Sequence, residues 1–362
     1  MIYGAVTGID ARMIEMSGIG TYIQHLMGQG IYDYALGDET LIRRYDKDVK
    51  VIPYSASIYS PKEQLLFPKR AVREAGIGII HFPHYNVPMF YRGRYVVTVH
   101  DLTHIVMPEY LGSRAKYLYA KLLMGNALKH AEHVFTVSKN SRKDIERYFH
   151  TDHRKISITY NAIDDDFRVK DPSETDYLYD KYDIPQNTRK LLYVGNLKPH
   201  KNLITLLRAV KRLHREDITL LLVGKAFKSV DLEEEEKQLG IDGQVIHTGM
   251  VDKEELIDLY NLADLFVFPS LYEGFGIPPL EAMACGTPVI AANNSSIPEV
   301  VSDAAILFDG HHSKELSIRI REVLDQEELR QELIEKGLIR SHFFNWSQAR
   351  AEVRRVFENT SM

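Results

Sequence analysis

Apolar runs of strand length recur along this chain and alternate with segments whose apolar residues return every three or four positions. That alternation is the pattern of a parallel sheet covered by helices on both faces. In the first half the runs Ile2–Thr7, Ile77–Phe82, Tyr95–Val99 and His133–Val137 predict strands, and residues 114–129 predict a helix. In the second half Lys190–Val194, Ile218–Val223, Gln244–His247, Leu265–Phe268 and Pro288–Ala292 predict strands, separated by helical patterns over 203–214, 253–262 and 279–284. A polar, acidic stretch from Asp164 to Asp183 interrupts the series and ends before Ile184-Pro185. It predicts a hinge, with a domain boundary near residue 168. The fold class is α/β, with domains over 1–168 and 169–342. The acidic run Glu233–Glu236 reads as a solvated helix face.

Length supports two domains, because 362 residues exceed the size at which a single core keeps growing. With 44% hydrophobic and 26% charged residues the composition is that of a globular protein. Cys285 is the one cysteine, which excludes an intramolecular disulfide. The opening Met-Ile-Tyr-Gly-Ala-Val lacks the basic and apolar regions of a secretory signal, so a cytoplasmic location is expected. A formal charge of -5 argues against an electrostatic nucleic-acid binder.

The most informative chemistry lies in Pro269-Ser-Leu-Tyr-Glu273-Gly-Phe-Gly-Ile-Pro-Pro279-Leu-Glu281-Ala-Met-Ala-Cys-Gly286-Thr-Pro288, which reads strand, loop, helix, strand. Pro279 suits a first helical turn and Gly286 suits a left-handed helix end, so the helix is short. Gly274 and Gly276 flank Phe275 in a loop whose backbone N–H groups can approach an anion or sugar hydroxyls. Glu273 lies just past a strand end and Glu281 in the first helical turn, at the carboxyl edge where open α/β sheets bind ligands. A glutamate in a first turn also complements the helix dipole, a role that needs no ligand. Other strand ends carry polar groups as well. Gly195-Asn196-Leu-Lys198-Pro-His200-Lys201-Asn202 offers cations beside a helix start, Gly18-Ile-Gly20 offers a short glycine loop, and His100-Asp101 closes a first-half strand.

These motifs resemble the retaining glycosyltransferase family 4, of the two-domain fold called GT-B, and the resemblance covers nearly the whole chain. It implies two facing Rossmann-like domains with a cleft between them, a nucleoside diphosphate sugar as donor, and a glycan, lipid-linked or small-molecule acceptor. The key match is the pair of glutamates: Glu273 corresponds to the residue beside the transferred sugar and Glu281 to the one that binds the nucleotide ribose. Lys201 matches the lysine that neutralises the diphosphate. Asn196 stands where family members commonly carry an arginine, so that charge rests on Lys201, aided by Lys198 or His200. By the same resemblance Gly18 and Gly20 form the diphosphate loop, with Gly20 as the residue expected to approach the donor. His100 matches the family's histidine at this strand end, which implies a contact with the transferred sugar. The resemblance further implies a front-face transfer in which a donor phosphate oxygen helps take the acceptor proton, without a metal. It also implies a terminal segment, about 343–362, that completes the first domain with Trp346 as a packing residue.

Several readings compete with these. His81, His84, His100 and His104 near strand ends imitate a zinc cluster, which clustering at a sheet edge explains, and Asp164-Asp165-Asp166 imitates a paired-carboxylate metal motif but falls in Tyr160-Asn161-Ala-Ile-Asp164, which resembles the family's end-of-domain loop. Ser138 reads as a helix cap or a cleft-lining hydroxyl. Ile23 at the third fingerprint position counts against a dinucleotide oxidoreductase. A GT-B nucleotide-sugar hydrolase or epimerase, and a non-catalytic nucleotide-sugar-binding protein, remain as alternative functions. Arg114, Lys116, Lys121 and Lys129 interleave with Tyr117, Leu118, Leu122 and Leu123, a pattern that fits either a helix at a membrane surface or an amphipathic helix packed on the sheet.

Overall fold

The computed structural model describes residues 5–58, 60–225 and 232–360. The chain divides into two units between Asn161 and Ala162 and again between Asn345 and Trp346, and the last helix, Trp346–Thr360, belongs to the first. Residues 162–168, expected in the first domain, fold with the second. There Phe167 meets the Tyr260 ring edge-on, and Lys253 pairs with Asp164 at 2.6 Å and Asp166 at 2.5 Å. The acidic hinge stretch is tied down in the same way. Lys170 bonds Asp258 at 2.5 Å, and the Tyr177 and Tyr182 hydroxyls donate to Asp258 and Glu255.

The first unit holds strands β1 (Val6–Asp10), β2 (Tyr34–Gly37), β3 (Lys50–Pro53), β4 (Ile77–Phe82), β5 (Arg94–Val99), β6 (His133–Thr136) and β7 (Ile156–Ile158). They form one seven-stranded sheet in the order β3-β2-β1-β4-β5-β6-β7, every pair parallel. The second unit holds β8 (Arg189–Val194), β9 (Ile218–Val223), β10 (Val245–Gly249), β11 (Leu265–Phe268), β12 (Val289–Ala292) and β13 (Ile306–Phe308) in a six-stranded parallel sheet ordered β10-β9-β8-β11-β12-β13. Strands β9, β11 and β12 are buried along their whole length, so they read as continuous apolar runs rather than alternating ones. Among the described residues no helix is long and apolar enough to cross a membrane.

Four strands escape the sequence pattern. β2, β3, β7 and β13 have only four, four, three and three residues, and none forms an apolar run longer than a turn or a loop can also carry. The opening strand runs Val6–Asp10 rather than Ile2–Thr7, because Gly8 and Asp10 continue the ladder against β2 and β4; residues 2–4 lie outside the described residues. Glu236 also departs from expectation. It is buried and accepts a 2.9 Å hydrogen bond from His247, whose pKa it raises.

In both sheets the strand order reverses at one place, between β1 and β4 in the first unit and between β8 and β11 in the second. Connections leaving such a pair run to opposite faces of the sheet and open a crevice at its carboxyl edge. In the second unit the edge is drawn tight: the Gly195 N–H donates to Val223 O, the Gly224 N–H to Gly249 O, and the Leu197 N–H to Lys225 O. Gly224 adopts φ +140°, and a Cβ there would lie 2.0 Å from the Gly195 carbonyl oxygen. Gly224→Ala is therefore expected to destabilise the second unit by about 2–4 kcal/mol, read as a fall in its denaturation midpoint.

Candidate active site

The loops that follow β8 and β11 carry most of the predicted site residues, and these two strands are hydrogen-bonded neighbours at the reversal of strand order. After β8 the chain turns through Gly195 at φ +149°, then a 3-10 turn, Pro199–Lys201, and Asn202 in the left-handed conformation before helix Leu203–Leu213. After β11 it passes through Pro269–Gly276 into helix Ile277–Ala284, whose cap is Gly276 at φ +105° with Pro278 and Pro279 opening the helix. Asn202 ties the β8 loop to the β11 loop by donating to the Pro269 carbonyl at 3.0 Å, and to the turn after β13 by donating to the Gly310 carbonyl at 2.7 Å, while the Leu271 N–H donates to His200 O.

This scaffold brings Lys201 and Glu273 into contact. Lys201 Nζ donates to Glu273 Oε1 at 2.6 Å, with both side chains largely shielded at 17% and 14% exposure. The Glu273 backbone is also fixed. Its N–H donates to Ser295 Oγ, and Ser296 Oγ donates to the carbonyls of Glu273 and Phe275. Ser295 sits at φ +50°, a costly conformation for a residue with a Cβ. These two serines were not singled out from the sequence, since a serine pair after a strand reads as an ordinary loop. Asn196 is exposed at the mouth of the β8 loop.

Glu281, expected in the first helical turn, is the fifth residue of helix Ile277–Ala284 and so lies in its second turn, because the helix begins at Ile277 rather than at Pro279; it stands apart from the Lys201–Glu273 pair. Its Oε2 accepts a 2.8 Å hydrogen bond from the Tyr260 hydroxyl. Removal from water raises the carboxyl to about 7 although part of the side chain still reaches solvent; the Tyr260 bond and Lys253 lower it, and Asp164 raises it.

The remaining predicted residues belong to the first unit. His100 Nε2 lies 2.9 Å from the Pro83 carbonyl, so this nitrogen carries the proton and donates. Burial lowers its pKa to about 4, which leaves a neutral ring with an acceptor at Nδ1. Tyr22 packs edge-on against it at 5.0 Å. Gly18 is exposed, with open space where a Cβ would be. Gly20 behaves otherwise. It is buried, its N–H donates to Met16 O, and a Cβ would lie 2.7 Å from the Ile14 carbonyl. Gly20 thus serves the close packing of its own loop, and Gly18 is the glycine with open space beside it.

His81 is a satisfied core residue between Tyr32 and Thr98, and Ser138 caps helix Lys139–Phe149. Trp346 stacks on His25 at 4.3 Å. Among the described residues no group of three or more His, Cys, Asp or Glu side chains is placed to hold a metal ion. Sequence reasoning missed a buried network at the β1/β4 reversal, where Arg12 donates to Asp10 at 2.6 Å, Glu63 at 2.8 Å and Ala56 O at 2.9 Å, with its guanidinium over the Tyr54 ring. Nothing in the spacing of these five residues points to their meeting.

The model for "Glycosyl transferases group 1" matches residues 176–340, and that for "Glycosyltransferase Family 4" matches residues 35–167. O-antigen chain mannosyltransferase B of Escherichia coli is 32% identical over 302 residues, covering 82% of this chain and 78% of that protein. The chain belongs to glycosyltransferase family 4. Serotype-specific mannosyltransferase WbdA of Escherichia coli is 31% identical over 279 residues, 74% of this chain but 33% of that protein. Among solved structures, Anabaena Alr3699/HepE in complex with UDP-glucose superposes with a TM-score of 0.79 at 20% identity, covering 98% of this chain and 99% of that one. The fold is GT-B, and this family 4 member is a nucleotide-sugar-dependent glycosyltransferase of the hexosyl-transferring kind.

The raised carboxyl makes stability depend on pH. Glu281 takes up its proton more readily in the folded chain than in the unfolded one, so between about pH 4.5 and 7 the folded state binds more protons and stability falls as pH rises; above about 7 the effect is flat. Glu281→Gln removes this titration. Relative to wild type, the ligand-free variant should gain about 1–3 kcal/mol on going from pH 4.5 to 7.5, measured by chemical denaturation.

Proposed function

We propose that this enzyme is a retaining mannosyltransferase that uses GDP-mannose to extend a lipid-linked surface polysaccharide. The observation that carries the catalytic part is the Lys201–Glu273 ion pair at the reversal of strand order in the second sheet, with Glu281 on the adjoining helix Ile277–Ala284. Lys201 neutralises the leaving diphosphate as a compact point charge. Glu273 takes hydrogen bonds from the transferred sugar and holds Lys201 in place, while Glu281 accepts from the ribose hydroxyls. Gly18 and the backbone of Gly274, Phe275 and Gly276 approach the diphosphate, and His100 accepts a sugar hydroxyl at Nδ1. In the transfer the bond from the anomeric carbon to the phosphate oxygen breaks and the acceptor oxygen bonds the same face of that carbon. The acceptor proton passes to the departing phosphate. The mannosyl donor and the polysaccharide acceptor are supported by the names of the two Escherichia coli relatives.

A panel of GDP-mannose, UDP-glucose and other UDP- and ADP-sugars, followed by nucleotide release, tests this. GDP-mannose should be turned over in preference, at a rate unchanged by EDTA, and Lys201→Ala should lower the rate by about 10²–10³-fold. Preference for a UDP-sugar would overturn the donor, loss of activity in EDTA the metal-free reading, and wild-type rates in Lys201→Ala the role of the ion pair.

The same reading has the enzyme act at the cytoplasmic face of the membrane, touching it through the first unit. In helix Arg114–His130, Leu118 and Leu122 are 56% and 65% exposed one turn apart, beside Arg114, Lys116 and Lys121, while Leu123 and Met124 face the core. Leu65 is 79% exposed on helix Pro61–Leu65, and Phe90 is 62% exposed on the loop joined to that helix by the bond from Met89 N–H to Gln64. Apolar tips ringed by cations suit an anionic bilayer. Sedimentation with vesicles containing phosphatidylglycerol at low salt should carry the wild type down, and Leu118→Ser/Leu122→Ser should weaken binding by at least about tenfold. Absence of wild-type binding would overturn the membrane contact.

A further inference from the structure

We infer that Tyr260 is a positioning residue for donor recognition: its hydroxyl, donated to Glu281 Oε2, fixes the carboxyl so that the other oxygen is presented to the vicinal hydroxyls of a nucleoside. The inference rests on Glu281 as the ribose contact.

Three observations carry it. Tyr260 is fully buried and its ring is held edge-on by Phe266 at 5.5 Å and Phe167 at 6.1 Å, so the hydroxyl has one direction to point. Its backbone is fixed too, because the Thr287 hydroxyl donates to the Tyr260 carbonyl at 2.6 Å just before β12. The 2.8 Å bond to Glu281 Oε2 is the hydrogen bond this phenol makes, and no other group among the described residues bonds the Glu281 carboxylate. One oxygen is thus committed to the protein, and the other remains for a ligand.

The helix that supplies Tyr260, Lys253–Leu262, also supplies Lys253 seven positions earlier. Residues two turns apart share a helix face, so both act on the same carboxyl. They act differently. Lys253 is engaged by Asp164 and Asp166 and contributes at a distance, whereas Tyr260 makes the direct bond. The titratable and charged groups facing Glu281 are Tyr260, Asp164, Lys253 and Cys285. Burial holds the tyrosine well above its ordinary pKa and the thiol up to about 12, so both stay protonated through the range in which Glu281 ionises. A phenol that keeps its proton favours the ionised carboxylate, the form that accepts from two hydroxyls.

The test is the pH dependence of binding GDP-mannose and UDP-glucose, whose diester phosphates do not titrate near neutrality, by calorimetry on the full chain. Wild-type affinity should rise as pH passes through about 7. In Tyr260→Phe, which keeps the packed ring, the midpoint should move up by about one pH unit, with affinity about tenfold weaker at pH 6.5 and largely recovered by pH 9. Glu281→Gln and the double variant Tyr260→Phe/Glu281→Gln should both lack the rise. A Tyr260→Phe profile that is unchanged, or lowered equally at every pH, would overturn the positioning role. A wild-type slope retained in Glu281→Gln, or binding of neither sugar nucleotide, would instead overturn the ribose reading on which it rests.

Discussion

The second unit depends on one constraint, the hydrogen-bonded pairing of β8 with β11 across the reversal of strand order. Loops that leave adjacent parallel strands toward opposite faces cannot cover the edge between them, so that edge stays open to a ligand. In this chain the two loops are pulled back together at single points. Asn202 reaches two carbonyls on the far side, and Lys201 reaches Glu273. The crevice is thereby bounded by fixed side chains rather than by mobile loop backbone, which is the preorganisation that electrostatic stabilisation of a leaving group requires.

Glycines shape the two units in different ways. Gly195 and Gly224 let the ends of β8 and β9 close on each other, and Gly276 lets the β11 loop turn into its helix. Gly20 does equivalent work inside the first unit, where the Ile14 carbonyl occupies the space a side chain would need. A glycine in a loop after a strand is therefore ambiguous until its neighbours are known. It marks close approach, but the approaching group is as often the protein's own backbone as a ligand.

That ambiguity sets the limit of what the sequence discloses. The buried strands β8, β9, β11 and β12 are legible because burial on both faces forces a continuous apolar run. The short strands β2, β3, β7 and β13 are not, since their pairing comes from neighbours that already exist. Glu273, Glu281 and Lys201 are legible because strand-end loops with glycine and proline punctuation deliver side chains to a sheet edge. Their supporting groups are hidden. Ser295, Ser296 and Tyr260 meet the glutamates only through the fold, across separations of 21–23 residues. Residues 162–168 look like linker by composition, yet Phe167 and the two aspartates give them a place on the second unit.

The Lys201–Glu273 pair has a further consequence for charge. A shielded ammonium and carboxylate at 2.6 Å cancel, so the pair alone offers little net attraction to an incoming diphosphate. At Asn196, where family members commonly place an arginine, this chain has a neutral side chain, so no second fixed cation makes up the difference there. On the proposed reading of the site, the attraction arises when sugar hydroxyls take over part of the hydrogen bonding to Glu273, leaving Lys201 free to turn its field toward the phosphates. Binding of the sugar and neutralisation of the diphosphate are then coupled through one short contact. On the same reading, free nucleoside diphosphate, which lacks the sugar, meets a lysine still held by its glutamate, so the ion pair that prepares the site also favours product release.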